Sequence, residues 1–304
     1  MSEAVQSPRK VAVIGLGSMG YGIAVSVLRS GHMVWGVDVD AKRVDKFRSD
    51  GGQPSEITGA ACELDAVVVV VLNAEQTQDV MFGDGGIVAS LKPGAVVLAC
   101  TTVSPSFAGD MAARCAEAGV LYLDAPISGG SVKAANGQLS IMASGSADAF
   151  AAARPILDST AEIVFELGDE PGTGSAMKAV NQLLAGVHIA TMAEALTFGM
   201  TQGVTPEKFV EVISKCAGTS WMLENRAPHI VSGDYTPHSS VNIWPKDLGI
   251  VLDIAKSVRF DAPITTAALR QFMTAAEMGH GREDDAAVAK VYARNAGLTL
   301  PGEE

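Results

Sequence analysis

A chain of 304 residues, 48% apolar and 18% charged, has enough apolar material for one large core or two moderate ones, and its balance is not that of a disordered chain. Its formal net charge of -12 argues against nucleic acid and anionic membrane as partners, because both need a basic surface; a small anion held by a few local cations remains open. Cys62, Cys100, Cys115 and Cys216 have no C-x-x-C spacing and read as buried structural thiols rather than a disulfide or metal framework.

The segment from Met1 to Lys10 is short and polar, with no apolar stretch of signal-peptide type, and the longest aliphatic run, Ala66–Leu72, is too short to cross a bilayer. A soluble, cytoplasmic protein is the expectation. Strand patterns fall at Val11–Ile14, Met33–Val37, Ala66–Leu72, Ala95–Ala99 and Leu121–Asp124. Helical patterns at Met19–Ser30, Ala41–Ser49, Ala74–Phe82, Pro105–Ala118 and Asp148–Leu157 separate or follow them. This alternation predicts a mainly parallel sheet covered on both faces, a doubly wound α/β domain. Leu139–Ser144 and Ile163–Glu166 can add strands. After Gly168 the pattern changes: Ser175–Gly203 has helical periodicity without proline, a span of roughly 43 Å at the α-helical rise. Pro206–Cys216, Trp221–Ile230, Lys246–Ser257, Pro263–Met278 and Asp284–Asn295 also read as helices, with Thr205-Pro206-Glu207 as a cap followed by a first-turn proline. Residues 1–170 are therefore expected to form a Rossmann-type domain, and residues 171–304 an all-helical domain with a long interdomain helix as its spine.

The strand at Val11–Ile14 runs into Gly15-Leu16-Gly17-Ser18-Met19-Gly20, the G-x-G-x-x-G spacing, and an acidic residue, Asp38, ends the next strand. Gly15 would make the tight turn, Gly17 would let a pyrophosphate approach the backbone, and Gly20 would let helix and strand pack closely. The free N–H groups of the following helix favour the phosphates. Asp38 would accept from the adenosine ribose hydroxyls. With Asp40 nearby, and with Lys42 and Arg43 expected to face solvent, NAD is favoured over NADP.

Four motifs in order carry a resemblance to the β-hydroxyacid dehydrogenase family, the group of 3-hydroxyisobutyrate dehydrogenase and tartronate semialdehyde reductase: GLGSMG at Gly15–Gly20, DAPISGG at Asp124–Gly130, GTGSAMKAVNQ at Gly172–Gln182 and KDL at Lys246–Leu248. The resemblance implies a substrate loop at Ser128, Gly129 and Gly130, whose backbone N–H groups can fork onto a carboxylate. It implies a catalytic lysine at Lys178, which shares one helix face with Asn181 and Gln182 at i, i+3 and i+4. Lys178 would take the proton of the substrate hydroxyl as hydride leaves for the nicotinamide, Asn181 would hold the hydroxyl or carboxylate, and Gln182 would assist. Lys246 would lie near cofactor and substrate, with Asp247 fixing its geometry and Pro245 at the start of its helix. Thr102, Leu72 and Asn73, at the ends of the fourth and third strands, would stand on the cofactor side.

Within the family, the segments GTSWMLENRAPHI and GDYTPHSSVNI look most like the L-threonate dehydrogenase branch, which implies NAD-dependent oxidation of L-threonate at C2 to 2-oxo-tetronate. Ser220, Trp221, Asn225 and Asn242 are candidates for binding the extra hydroxyls of such a small anionic hydroxy-acid. The alternatives are 3-hydroxyisobutyrate oxidation and tartronate semialdehyde reduction. Imine reduction and a non-catalytic NAD sensor fit poorly with a lysine at position 178. The five histidines share no spacing, so no metal site is expected, and the alanine- and methionine-rich second half suggests a homodimer or homotetramer.

Overall fold

The computed structural model describes residues 7–54 and 56–303, so most of the polar N-terminal segment lies outside the described residues. By its contacts the chain divides into two units, Met1–Lys178 and Ala179–Glu304, so the division falls inside the long helix rather than at residue 170.

In the first unit, β1 (Lys10–Ile14) lies between β2 (Met33–Val37) and β3 (Ala66–Val69), and β4 (Val96–Ala99) and β5 (Leu121–Asp124) continue the parallel sheet in the order β2-β1-β3-β4-β5. Period-two alternation sends Val11, Val13, Val68 and Leu98 to one buried face and Ala12, Ile14, Val67 and Val97 to the other. Both faces are apolar, as a parallel sheet covered by helices requires, and each buried Val, Leu or Ile side chain contributes about 1.5–3 kcal/mol by leaving water. The covering helices are α1 (Gly20–Arg29), α2 (Ala41–Ser49), α3 (Ala74–Phe82) and α4 (Pro105–Glu117). The strand order reverses between β1 and β3, so the loops that leave their carboxyl ends part there, the position where open α/β sheets bind ligands.

Three differences from the sequence expectation bear on the site. The third strand ends at Val69, because after Val70 donates its N–H to Ile14 the chain turns away; Leu72 and Asn73 are thus in the loop and at the start of α3. A short helix, α5 (Gly130–Asn136), follows the two-residue strand β6 (Ile127–Ser128). The later strands β7 (Leu139–Ala143) and β8 (Ala161–Glu166) join β6 in a separate three-stranded sheet, with β6 antiparallel to β7 and α6 (Ala147–Thr160) between β7 and β8.

The second unit is helical. Its spine is α7 (Thr173–Thr201), whose Ile189, Met192 and Leu196 are buried in a core with Phe209, Leu223, Ile230, Trp244, Leu248 and Phe272. The first turns of α7 belong to the first unit. By length and composition alone α7 could cross a membrane, a property the aliphatic-run reading missed; its buried stripe in this core gives its apolar character another use. Around it run α8 (Pro206–Ile213), α9 (Trp221–Ser232), α10 (Ile243–Ser257), α11 (Pro263–Ala275) and α12 (Ala289–Ala296). The tenth helix begins at Ile243, so Pro245 sits inside its first turn, where a missing N–H costs nothing. Gly186 in mid-α7 carries a helix-propensity cost near 1 kcal/mol. A Cβ there would come within 2.8 Å of the Trp244 ring and 2.9 Å of Leu248, so glycine is what lets α10 approach α7 this closely.

A buried charge cluster pins the start of α10. Asp285 accepts from Arg226 Nε at 2.5 Å and from Trp244 Nε1 at 3.0 Å, while Asp284 accepts from the His238 N–H at 2.9 Å. Burial above all, with the neighbouring Asp284 charge adding to it and the Arg226 guanidinium opposing it, pushes the Asp285 carboxyl up to about 6.

Candidate active site

The glycine loop has the shape its spacing predicts. Gly15 sits at φ +96°, and a Cβ there would meet the Val70 carbonyl oxygen at 2.3 Å; one on Gly20 would meet the Gly15 carbonyl oxygen at 1.8 Å. Nothing lies within 4 Å of where a Gly17 Cβ would be, so that backbone borders open space. The α1 N-terminus has no side-chain cap and no acid in its first turn, which leaves its dipole and N–H groups for an anion. Backbone and helix end therefore fit a dinucleotide pyrophosphate running over Leu16, Gly17, Ser18 and Met19.

Asp38 has a second task that the sequence did not reveal. Its Oδ2 accepts the Leu16 N–H at 2.7 Å and its Oδ1 accepts the Asp40 N–H at 2.8 Å, so it braces the glycine loop, whatever it also offers a ribose. Arg43 does not simply face solvent as expected. As α2 begins at Ala41, its guanidinium folds back to 3.5 Å from both Asp38 and Asp40.

Elsewhere on the carboxyl side of the sheet, Asn73 caps α3 by accepting the Gln76 N–H at 2.9 Å, and the Leu72 N–H donates to Gln76 Oε1 at 3.0 Å. Leu72 is exposed, and Thr102 is half-buried in the loop that leads from β4 to α4. Cys100 and Cys115 are buried, and burial pushes each thiol up to about 12; Cys62 and Cys216 are exposed, which corrects the expectation that all four are buried.

The first unit brings Lys178 to the substrate-loop motif. Ser128 ends β6, and Gly129 and Gly130 follow at φ +137° and +80°, a backbone path that only glycine takes without strain. Lys178 is buried, 8% exposed, and donates from Nζ to the carbonyl of Ile127 at 2.9 Å, the residue just before Ser128. What holds the lysine there is Asp124, the first residue of the same motif. Its Oδ2 accepts the N–H groups of Gly172 at 2.9 Å and Ser175 at 2.7 Å, and its Oδ1 accepts the Ser175 hydroxyl at 2.7 Å. The carboxylate thus caps the N-terminal turn of α7, where the helix dipole favours negative charge. Burial nevertheless raises its pKa above the usual carboxylate value, against the pull of the hydrogen bonds from Ser175, Gly172 and Ser144. Sequence reading did not find this role, because the partners lie 48 and 51 residues away along the chain.

The second unit joins the remaining candidates in one polar chain. Asn181 Nδ2 donates to Gln182 Oε1 at 3.0 Å, Gln182 Nε2 donates to Asp247 Oδ2 at 2.5 Å, and Asp247 Oδ1 is ion-paired with Lys246 Nζ at 2.5 Å. Gln182 and Asp247 are buried, Asn181 half-buried. Two of the candidates for extra substrate hydroxyls, Ser220 and Asn225, have local partners. Ser220 caps α9 through the Leu223 N–H at 3.0 Å, Asn225 accepts from Arg226, Asn242 lies against Gly281, and Trp221 is exposed. Among the described residues no three His, Cys, Asp or Glu side chains gather as a metal site.

Comparison with known proteins agrees with this layout. Residues 10–168 match the NAD-binding domain of 6-phosphogluconate dehydrogenase, and residues 172–292 match the NAD-binding family of NADP-dependent 3-hydroxyisobutyrate dehydrogenase. L-threonate dehydrogenase of Cupriavidus necator is 47% identical over 299 residues, spanning 97% of this chain and 99% of that one. A crystal structure of 3-hydroxyisobutyrate dehydrogenase from Salmonella typhimurium is 43% identical with a TM-score of 0.87 over 93% of this chain and 99% of its own. A structure described as Psf3 in complex with NADP+ and 2-OPP is 26% identical, with a TM-score of 0.84 over 93% of this chain and 99% of that one.

Proposed function

The chain belongs to the 3-hydroxyisobutyrate dehydrogenase family of NAD(P)-dependent β-hydroxyacid dehydrogenases, and from that premise we propose that it oxidises L-threonate at C2 to 2-oxo-tetronate with NAD. The observation that carries the catalytic reading is the buried Lys178 amine, held 2.9 Å from the Ile127 carbonyl at the edge of the Ser128–Gly130 loop. A bound nicotinamide dinucleotide supplies the hydride acceptor. Ser128 and the N–H groups of Gly129 and Gly130 hold the substrate carboxylate. Lys178 Nζ, as the neutral amine, takes the proton of the alcohol as its carbon is oxidised; in the reverse direction the ammonium returns it. In the second unit, Lys246 supplies a further cation for the anionic substrate, and Asn181 supplies the amide that receives a substrate hydroxyl.

Asp38 favours NAD, because a 2′-phosphate there would face the carboxylates of Asp38 and Asp40; Arg43, at 3.5 Å from both, weakens that preference. The exposed apolar side chains of α7, Met177, Val180, Leu184 and Phe198, support a homodimer or homotetramer, and sedimentation showing a stable monomer would refute it. The enzyme works in the cytoplasm on this reading.

A substrate panel tests the assignment. With NAD and absorbance of NADH as the readout, L-threonate is expected to exceed 3-hydroxyisobutyrate and D-glycerate in kcat/KM. A lead of about tenfold or more for either of those two moves the substrate to that acid, or to the corresponding aldehyde-acid reduction. Lys178→Met is expected to lose on the order of a thousandfold in kcat with NAD affinity unchanged. A variant that keeps its kcat removes the general-base role.

A further inference from the structure

The polarity of the chain Asn181–Gln182–Asp247 is set from one end. Asp247 is 3% exposed and ion-paired with Lys246 at 2.5 Å, so its carboxylate has acceptors to offer and no hydrogen. Whatever faces Oδ2 must donate, which obliges Gln182 to turn its amide nitrogen toward Asp247. Its carbonyl oxygen then points to Asn181 and can only accept, so Asn181 must present Nδ2 to it, at 3.0 Å. Asn181 Oδ1 is left on the other side of the amide. An asparagine amide has two orientations of almost equal shape, and here a charge two side chains away selects one of them. The close approach that Gly186 allows between α7 and α10 is what brings Asp247 within reach of Gln182.

We propose that Asp247 is a positioning residue that acts through Gln182 to lock the Asn181 amide with Oδ1 outward, as an acceptor for a hydroxyl of the substrate. The proposal rests on the dehydrogenase reading for its substrate, though not for its geometry. It resolves whether Asn181 serves a hydroxyl or the carboxylate: a carboxylate has no hydrogen to give to Oδ1, whereas an alcohol does. Burial of the relay makes the wrong orientation costly, since a flipped Gln182 would set its carbonyl against the Asp247 carboxylate in a low-dielectric interior.

The test is a reciprocal exchange. Asp247→Asn removes the dictating charge and lets either amide orientation occur; Gln182→Glu sets two carboxylates against each other. In the double variant Q182E/D247N the amide and the carboxylate have changed places. The amide introduced at position 247 donates to the carboxylate introduced at position 182, whose other oxygen still accepts from Asn181, so the original orientation returns. The first readout is the side-chain amide pair of Asn181 in full-length protein labelled with ¹⁵N-asparagine, identified by its loss in Asn181→Asp. That pair is expected to shift or double in Asp247→Asn and to return near the wild-type position in the double variant. An unperturbed pair in Asp247→Asn, or a double variant that stays like the single one, overturns the proposal. The second readout is kcat/KM for the hydroxy-acid, expected to fall about tenfold in each single variant with KM for NAD unchanged, and to recover to within about threefold of wild type in the double. If the wild-type protein oxidises no hydroxy-acid, the proposed function fails while the amide signals still decide the relay.

Discussion

Asp124 offers the sharpest contrast between two substitutions at one position. Its carboxylate accepts two buried backbone N–H groups, those of Gly172 and Ser175, and the Ser175 hydroxyl. Alanine would strand both N–H groups, each costing about 1–3 kcal/mol, and would remove the charge that favours the helix N-terminus. A total of about 4 kcal/mol follows for Asp124→Ala. Asparagine should behave differently. Its carbonyl oxygen can take the place of Oδ2 and keep both N–H bonds, while its NH₂ replaces Oδ1 and donates to Ser175 Oγ, whose hydroxyl turns to accept. The lost charge–dipole interaction, about 1 kcal/mol, is offset by the easier burial of a neutral group, so Asp124→Asn should cost less than about 1.5 kcal/mol.

The raised pKa of Asp124 adds a pH signature. A carboxyl group whose folded value lies above its unfolded value contributes most below the unfolded value and loses that contribution as pH rises through the folded one. Asp124→Asn has nothing to ionise there, so its stability relative to wild type should improve as pH rises from about 4 upward. Urea unfolding followed by circular dichroism, with hydrogen exchange of the Gly172 and Ser175 amides as the local probe, measures both effects. Asp124 is not the cap if Asp124→Ala stays within about 1 kcal/mol of wild type, or if asparagine proves as damaging as alanine.

Three further outcomes follow from the same reasoning. Gly17→Ala should keep the wild-type melting temperature, because nothing lies within 4 Å of the new methyl, yet raise the KM for NAD by crowding the phosphate; Gly20→Ala should destabilise the first unit by about 3 kcal/mol or more through contact with the Gly15 carbonyl. Exchanging Asp38→Ser together with Val39→Arg should move the NADP/NAD ratio of kcat/KM toward NADP by about tenfold to a hundredfold, at some cost to both cofactors, because Leu16 loses its acceptor; an unchanged ratio would sink the ribose assignment. Burial raises the Asp285 carboxyl to about 6, so the stability it contributes falls as pH rises from about 4 to 6. Asp285→Asn should lack that decline, and parallel pH profiles of melting for the two proteins would contradict the shift.

Features that sequence reading captured are those written in local periodicity. Val11–Ile14 alternates between two buried faces, the glycines of the loop sit at fixed offsets, and Lys178, Asn181 and Gln182 lie within five residues of one another on a helix whose length the absence of proline announces. Each can be read in a window shorter than one element. What escaped has no such window. The two residues of β6 are too few to show alternation, and α5 opens on the same glycines that mark the substrate loop, so the segment looks like a turn and its antiparallel pairing to β7 is invisible. Arg43 and Asp38 are five positions apart, but whether they meet depends on where α2 starts.

The same limit separates the residues proposed to touch substrate from those that position them. Lys178, Ser128 and Asn181 stand in the motifs that carry the family resemblance, and the proposed mechanism uses their chemistry where they are. Asp124 aims Lys178 from a site 51 residues before Ser175, and Asp247 reaches Gln182 across 65 residues. Both aspartates also stand in motifs, yet as sequence they read only as a strand end and as a neighbour of a lysine. Each is a buried acceptor with no hydrogen of its own, and each meets a part of α7: Asp124 its first turn, Asp247 the Gln182 side chain. A group that can only accept leaves its partners a single orientation, and that constraint lets two carboxylates organise a helix whose own hydrogen bonds would permit several side-chain arrangements.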